Sequence, residues 1–146
     1  MIRAALPAID TSAPPFALPP DVVLDIPVPP SVNRTRRVNH AHSGKVTAWE
    51  KAADGLLMAS GQYRRARKVP GRFELKIVLC EQKCRLDADN PVKQAVDYLR
   101  RLELITNDDK RFMRKLTIEW GEAPEGCRLI LREIGPARVG AYGVGR

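Results

Sequence analysis

The sequence predicts an α+β domain, with elements in the order β-α-β-α-β-β and a small mixed or antiparallel sheet carrying two helices. Three observations predict it. Short apolar or alternating runs recur at Val22–Val28, Arg72–Cys80, Arg111–Trp120 and Cys127–Ile134, each of strand length. Two longer stretches place apolar residues at helical spacing. A length of 146 residues with 44% hydrophobic content suits one domain whose core needs no disulfide or metal staple.

Residues 1–20 hold five of the twelve prolines and show no periodicity, so a disordered or loosely held extension is expected there. The first strand, Val22–Val28, is closed by Pro29 and Pro30. A polar, basic loop follows over Ser31–Gly44. The first helix runs from about Ser43 to Gly61, with Val46, Trp49, Ala53, Leu56 and Leu57 on one face and Gly61 as its stop signal. The basic run Arg64-Arg65-Ala66-Arg67-Lys68 then leads to Pro70-Gly71.

In the second strand Phe73, Leu75, Ile77 and Leu79 alternate with Glu74, Lys76 and Val78. Asn90 is suited to cap the second helix and Pro91 to open it, and Val92, Ala95, Val96, Leu99 and Leu102 form its apolar face. The last two strands are joined by the turn-like Glu122–Gly126, and residues 136–146 read as a flexible tail. The folded domain is thus expected over residues 21–135. Trp49 and Trp120 fall on apolar faces and are expected in the core, the alternative being a wedge against a nucleic-acid base.

Several classes are set aside. No apolar run approaches the roughly 18–20 residues of a membrane span, and prolines interrupt the N-terminal stretch before a secretory core can form. A cytoplasmic protein with no membrane partner is the expectation. The three cysteines, Cys80, Cys84 and Cys127, are odd in number and irregular in spacing, which fits reduced thiols. His40 and His42 lack a third ligand and read as polar loop residues. There is no phosphate-binding glycine loop.

Twenty-five basic against seventeen acidic side chains give a net charge of +8, which favours a polyanionic partner such as nucleic acid. Within this basic chain two acidic clusters stand out, Asp87-Ala88-Asp89-Asn90-Pro91-Val92-Lys93 and Asn107-Asp108-Asp109-Lys110. In an extended segment Asp87 and Asp89 project to one side. Their position before a helix suits the macrodipole, and Asp-x-Asp-Asn is also a common cap or turn pattern. Lys93 in the first turn opposes the same dipole, unless Asp97 one turn later pairs with it. Carboxylates that hold Mg²⁺ or Mn²⁺, with a lysine near the scissile phosphate, are the parts that phosphodiester hydrolysis requires.

The pattern Asp87-x-Asp89-Asn90-x-x-Lys93, followed by Asp97, Leu99 and Asp108-Asp109, resembles the RusA family of Holliday junction resolvases. The upstream Pro29-Pro30-Ser31-Val32-Asn33-Arg34 is similar to the segment that follows that family's first strand. The resemblance runs from about Val22 to Ile134. It implies a RusA-like homodimer that nicks opposed strands of a four-way DNA junction, with Mg²⁺, or alternatively Mn²⁺, as cofactor. It also implies that Asp87, Asp89 and Asp109 bind the metal, with Asp108 as alternate to Asp109, and that Lys93 is the catalytic lysine. The spacing between Asp97 and Asp108 is about one residue longer than the family pattern.

Basic residues beside the acidic motifs are candidate DNA contacts: Lys83 and Arg85 before the first, Lys110, Arg111, Arg114 and Lys115 after the second. Asn33, Arg34, Arg36 and Arg37 in the upstream loop, and the run Arg64–Lys68, are further candidates. Three other readings stand beside this one. They are a basic DNA-binding protein without catalysis, a nuclease for other branched DNA and, weakest, a protein–protein adaptor.

Overall fold

Alternation along β1 (Val22–Ile26) buries Val22, Leu24 and Ile26 on one side and leaves Val23 in solvent on the other. The structure is a computed structural model that describes residues 20–31 and 44–135. The expected extension (apart from Pro20), the expected tail, and Asn33, Arg34, Arg36, Arg37, His40 and His42 lie outside the described residues. After β1 come α1 (Gly44–Ser60), a short α2 (Gln62–Arg65), β2 (Arg72–Leu79), α3 (Val92–Arg101), β3 (Met113–Trp120) and β4 (Cys127–Gly135).

The sheet is four-stranded, in the order β1-β4-β2-β3. β4 pairs antiparallel with both β1 and β2, whereas β2 pairs parallel with β3, so the sheet is mixed. A parallel pair needs a crossover, and α3 supplies it between β2 and β3. The turn between β3 and β4 makes no hairpin, because β2 lies between those strands. Instead it crosses the end of β2, where Gly121 N donates to Leu79 O (2.9 Å) and Cys80 N donates to Gly126 O (3.0 Å). Gly126 adopts φ 116°, and a Cβ there would stand 2.7 Å from Val28 Cγ2, so this corner requires glycine.

One face of the sheet carries the core. Leu24, Ile26, Phe73, Leu75, Ile77, Leu79, Leu129 and Leu131 pack with Trp49, Ala53 and Leu57 of α1 and Ala95, Val96, Tyr98 and Leu99 of α3. Each fully buried side chain of this size contributes about 1.5–3 kcal/mol, far more than any exposed ion pair, so the apolar pattern decides the fold. The other face is polar, with Arg128 bound to Asp25 at 2.7 Å across β4 and β1. Among the described residues no helix is long and apolar enough to cross a membrane.

The structure differs from expectation at four places. Gly61, at φ 79°, ends α1, but the chain turns at once into α2, a helix beyond the two expected, which takes in Arg64 and Arg65. Tyr98, outside the expected apolar face of α3, is wholly buried. Trp120 is not in the core: it is 43% exposed, because β3 is an edge strand paired on one side only among the described residues. Asn90 does not cap α3. Pro91 takes that position with no side-chain cap, and Asn90 Oδ1 instead accepts from Ser31 Oγ at 3.2 Å.

Candidate functional site

The loop that leaves the C-terminal end of β2 carries the first acidic motif. Leu86 and Ala88 pack against the core, and this alternation turns Asp87 and Asp89 outward, both exposed. The backbone alone makes the turn: Asn90 N donates to Asp87 O (3.0 Å) and Val92 N to Asp89 O (3.4 Å). The two carboxylates are therefore spent on neither capping nor turn formation. Among the described residues neither takes a hydrogen bond or an ion pair. Every other described aspartate (Asp21, Asp25, Asp54, Asp97, Asp108, Asp109) faces an arginine or lysine within 4 Å.

Lys93 lies in the first turn of α3 and pairs with Asp97 at 3.1 Å. Both ends of the pair are solvated, with Lys93 58% exposed, so the contact holds the ammonium only weakly. It nonetheless accounts for a cation at the unfavourable end of the helix dipole.

The second acidic motif follows α3 and leads into β3. Asn107 Oδ1 accepts from Asp108 N (2.7 Å), and Asp109 O accepts from Phe112 N and Met113 N. The Asp109 carboxylate takes Arg111 Nη2 at 2.8 Å, Arg111 Nε at 3.2 Å and Arg111 N at 2.9 Å. The Arg111 guanidinium, and then its backbone N–H, hold the Asp109 carboxyl below the usual carboxylate range. Asp108 is less committed, at 3.8 Å from Arg100 in the last turn of α3.

The two motifs thus sit at opposite ends of α3, whose ten residues span about 15 Å. Asp87 and Asp89 share the loop before α3 and Lys93 lies in its first turn, whereas Asp108 and Asp109 follow its other end. Among the described residues no three His, Cys, Asp or Glu side chains gather into one metal-holding group. A Mg²⁺ ion commonly takes one or two carboxylates and completes its shell with water and substrate phosphate. The adjacent, uncommitted Asp87 and Asp89 fit that requirement.

The expected DNA contacts divide in the same way. Arg85 and Lys110 are exposed. Lys83 is exposed too, although its Nζ donates to Pro124 O. Arg111 is occupied by Asp109 and lies 5.3 Å over the Phe112 ring. Arg67 of the basic run is a structural residue, bound to Glu133 at 2.8 Å and to the Pro20 carbonyl.

Sequence reasoning missed the cluster of Tyr98, Asp54 and Arg101. It borders a cavity of about 610 Å³ whose lining includes Leu57, Met58, Tyr63 and Leu102. No spacing rule links Asp54 to α3, so that cluster left no local signal. No protein-family model matches this chain, and no curated protein matches it.

Proposed function

We propose that this protein is a divalent-metal-dependent endonuclease that cuts branched DNA, resolving four-way junctions by paired nicks. The observation that carries this reading is the pair Asp87 and Asp89, the two described aspartates with no cation beside them in a strongly basic chain. Two exposed like charges set side by side repel, and a divalent cation relieves that repulsion. The resemblance of the Asp87–Lys93 and Asp108-Asp109 motifs to RusA resolvases supports the same reading.

In this account Asp87 and Asp89 hold Mg²⁺ or Mn²⁺ through their carboxylate oxygens. A cation held there would supply positive charge at the scissile phosphate and lower the pKa of water. Lys93, in the first turn of α3, reaches the phosphate from its solvated position and stabilises charge on the departing oxygen. Arg85 and Lys83, on the same loop as the two aspartates, bring the phosphodiester backbone to a site whose own ligands are negative. The backbone turn Asp87–Asn90 fixes the main-chain spacing of the two aspartates.

Incubation of the full-length protein with a synthetic four-way junction and a linear duplex, in Mg²⁺, Mn²⁺ or EDTA, tests the reading. Nicks on opposed strands of the junction in either metal, absent in EDTA and on the duplex, are expected. Tight junction binding with no cleavage in any condition would overturn it in favour of a non-catalytic DNA-binding protein. Cleavage confined to flaps or forks would move the substrate to other branched DNA.

A further inference from the structure

Where α3 ends, an open cleft of about 610 Å³ lies among α1, α2 and Leu102, and three kinds of chemistry line it. Leu57, Met58, Tyr63 and Leu102 make it largely apolar. Met58 and Tyr63 are 67% and 43% exposed, so an aromatic ring and a thioether stand open to solvent on the same cleft. Beside them Asp54 and Arg101 set an acceptor and a donor side by side. Asp54 Oδ1 already accepts from Tyr98 and Arg101, but Oδ2 accepts from Arg101 Nη2 alone, and both side chains are partly exposed. The third component is positive charge. Arg64 and Arg65 follow Tyr63 in α2, are exposed, and meet no carboxylate among the described residues. A Cβ on Gly61 would stand 3.0 Å from Arg65 Nη1, so that guanidinium lies against the turn joining Met58 to Tyr63. Arg67, Arg101, Arg128 and Arg132, by contrast, are each paired with a carboxylate.

We propose that this cleft binds a free nucleotide, with the base against Tyr63 and Met58 and the phosphates at Arg64 and Arg65. A base offers a π-face for the tyrosine ring and carries donors and acceptors together on its edge, which suits Arg101 and Asp54. A fatty acid would use the apolar wall and the cations but leave that acceptor and donor unmatched. Inorganic polyphosphate would use the cations alone. Clefts of roughly 300–1,000 Å³ are the usual size for ligands on the scale of one nucleotide. The helix α2 is a single turn of four residues, so its cations serve one phosphate group rather than the successive phosphates of a strand.

The cleft is separate from the acidic pair. Asp87 and Asp89 precede the N-terminal end of α3, whereas Arg101 and Leu102 stand at its C-terminal end. Nucleotide binding there lies beyond the nuclease reading and does not depend on it.

The test is isothermal titration of the full-length protein with each of the four common ribonucleoside triphosphates, in EDTA so that no metal bridges ligand and carboxylates. Saturable binding of at least one of them, one per chain, is expected, with the matching nucleoside and inorganic triphosphate each weaker by about tenfold or more. Tyr63→Ala and Arg65→Glu are each expected to weaken binding about tenfold or more, and Tyr63→Phe to retain it, because the ring and not the hydroxyl is used. Gly55→Phe is expected to abolish it. Gly55 lines the cleft with nothing within 4 Å of an added Cβ, and in mid-helix most residues are favoured over glycine. Should that variant fail to fold, Tyr63→Ala and Arg65→Glu, both at exposed positions, decide. No saturable binding, inorganic triphosphate bound as tightly as any nucleotide, decanoate bound in place of nucleotide, binding confined to a single-stranded oligonucleotide, or a folded Gly55→Phe that binds like wild type would each overturn the assignment. Asp87→Asn is expected to bind nucleotide as the wild type does. A protein that binds nucleotide and leaves junctions uncut removes the nuclease reading and keeps the cleft; one that cuts junctions and binds no nucleotide does the reverse.

Discussion

The Tyr98 hydroxyl donates to Asp54 Oδ1 across 2.6 Å and so ties α3 to α1. Arg101 closes the same carboxylate with Nη1 at 3.1 Å and Nη2 at 3.0 Å, while the Tyr98 ring meets Trp49 edge-on at 4.9 Å. Removing the hydroxyl and removing its acceptor are not equivalent. Tyr98→Phe loses one hydrogen bond, about 1 kcal/mol, but Asp54→Ala leaves a buried hydroxyl unsatisfied and is expected to cost about 1–3 kcal/mol. Urea unfolding of both variants checks this, and an Asp54→Ala protein at least as stable as Tyr98→Phe would contradict it.

The same cluster predicts an acid limb. The Arg101 side-chain hydrogen bond is the largest influence on Asp54 and holds its carboxyl below the usual range, against a smaller opposing effect of burial. A carboxyl depressed on folding contributes stability that is complete above about pH 4 and disappears as pH falls through its lowered folded value. Asp54 is partly solvated, so the contribution is modest after screening. Thermal melts of wild type and Asp54→Asn are expected to be furthest apart above about pH 5 and to approach one another as pH falls through the lowered folded value of Asp54. Parallel curves across that range would remove this role.

The cysteines offer a check on the core. Burial pushes the Cys127 thiol up to about 12, and Cys84 is buried beside it, whereas Cys80 is half-exposed. One thiol is expected to react rapidly with a disulfide reagent near pH 8 in the native protein, and all three after unfolding. Rapid labelling of Cys127 without denaturant would contradict its burial in the core.

Lys93 allows stability and chemistry to be separated. Its pair with Asp97 is exposed, so Lys93→Met is expected to change unfolding free energy by no more than about 0.5 kcal/mol. A loss of junction cleavage of about 100-fold or more, equivalent to roughly 2.7 kcal/mol, then belongs to the reaction and not to folding. Asp97→Asn frees the ammonium and is expected to retain cleavage. If Asp97→Asn loses as much activity as Lys93→Met, the ion pair itself is what the site needs.

Much of the fold was legible because its signals are local. Alternation in Phe73–Leu79 and helical spacing from Val92 to Leu99 each reflect burial of one face against the same core. What escaped depends on contacts distant in sequence. The insertion of β4 between β1 and β2 is set by pairings such as Leu24 with Leu129 and Leu75 with Leu131, and nothing in Cys127–Gly135 announces two neighbours. Trp120 looked like core from its own strand, but its exposure follows from the place of β3 at the edge. Tyr98 was passed over because its hydroxyl reads as polar until Asp54 is brought to it by α1.

The candidate site was legible to the same degree. The outward pair Asp87 and Asp89 follows from the inward pair Leu86 and Ala88, four consecutive residues. The separation of Asp108 and Asp109 from that pair was also implicit, since a ten-residue helix must intervene, but sequence spacing alone suggested one cluster.

The most direct test of the central claim is cleavage of a four-way junction by wild type and Asp87→Asn in Mg²⁺ or Mn²⁺, with junction affinity measured alongside in EDTA. The expected result is metal-dependent paired nicking by the wild type, loss of cleavage in Asp87→Asn by about 100-fold or more, and unchanged affinity. Cleavage by Asp87→Asn at the wild-type rate would contradict the assignment of this carboxylate to the site.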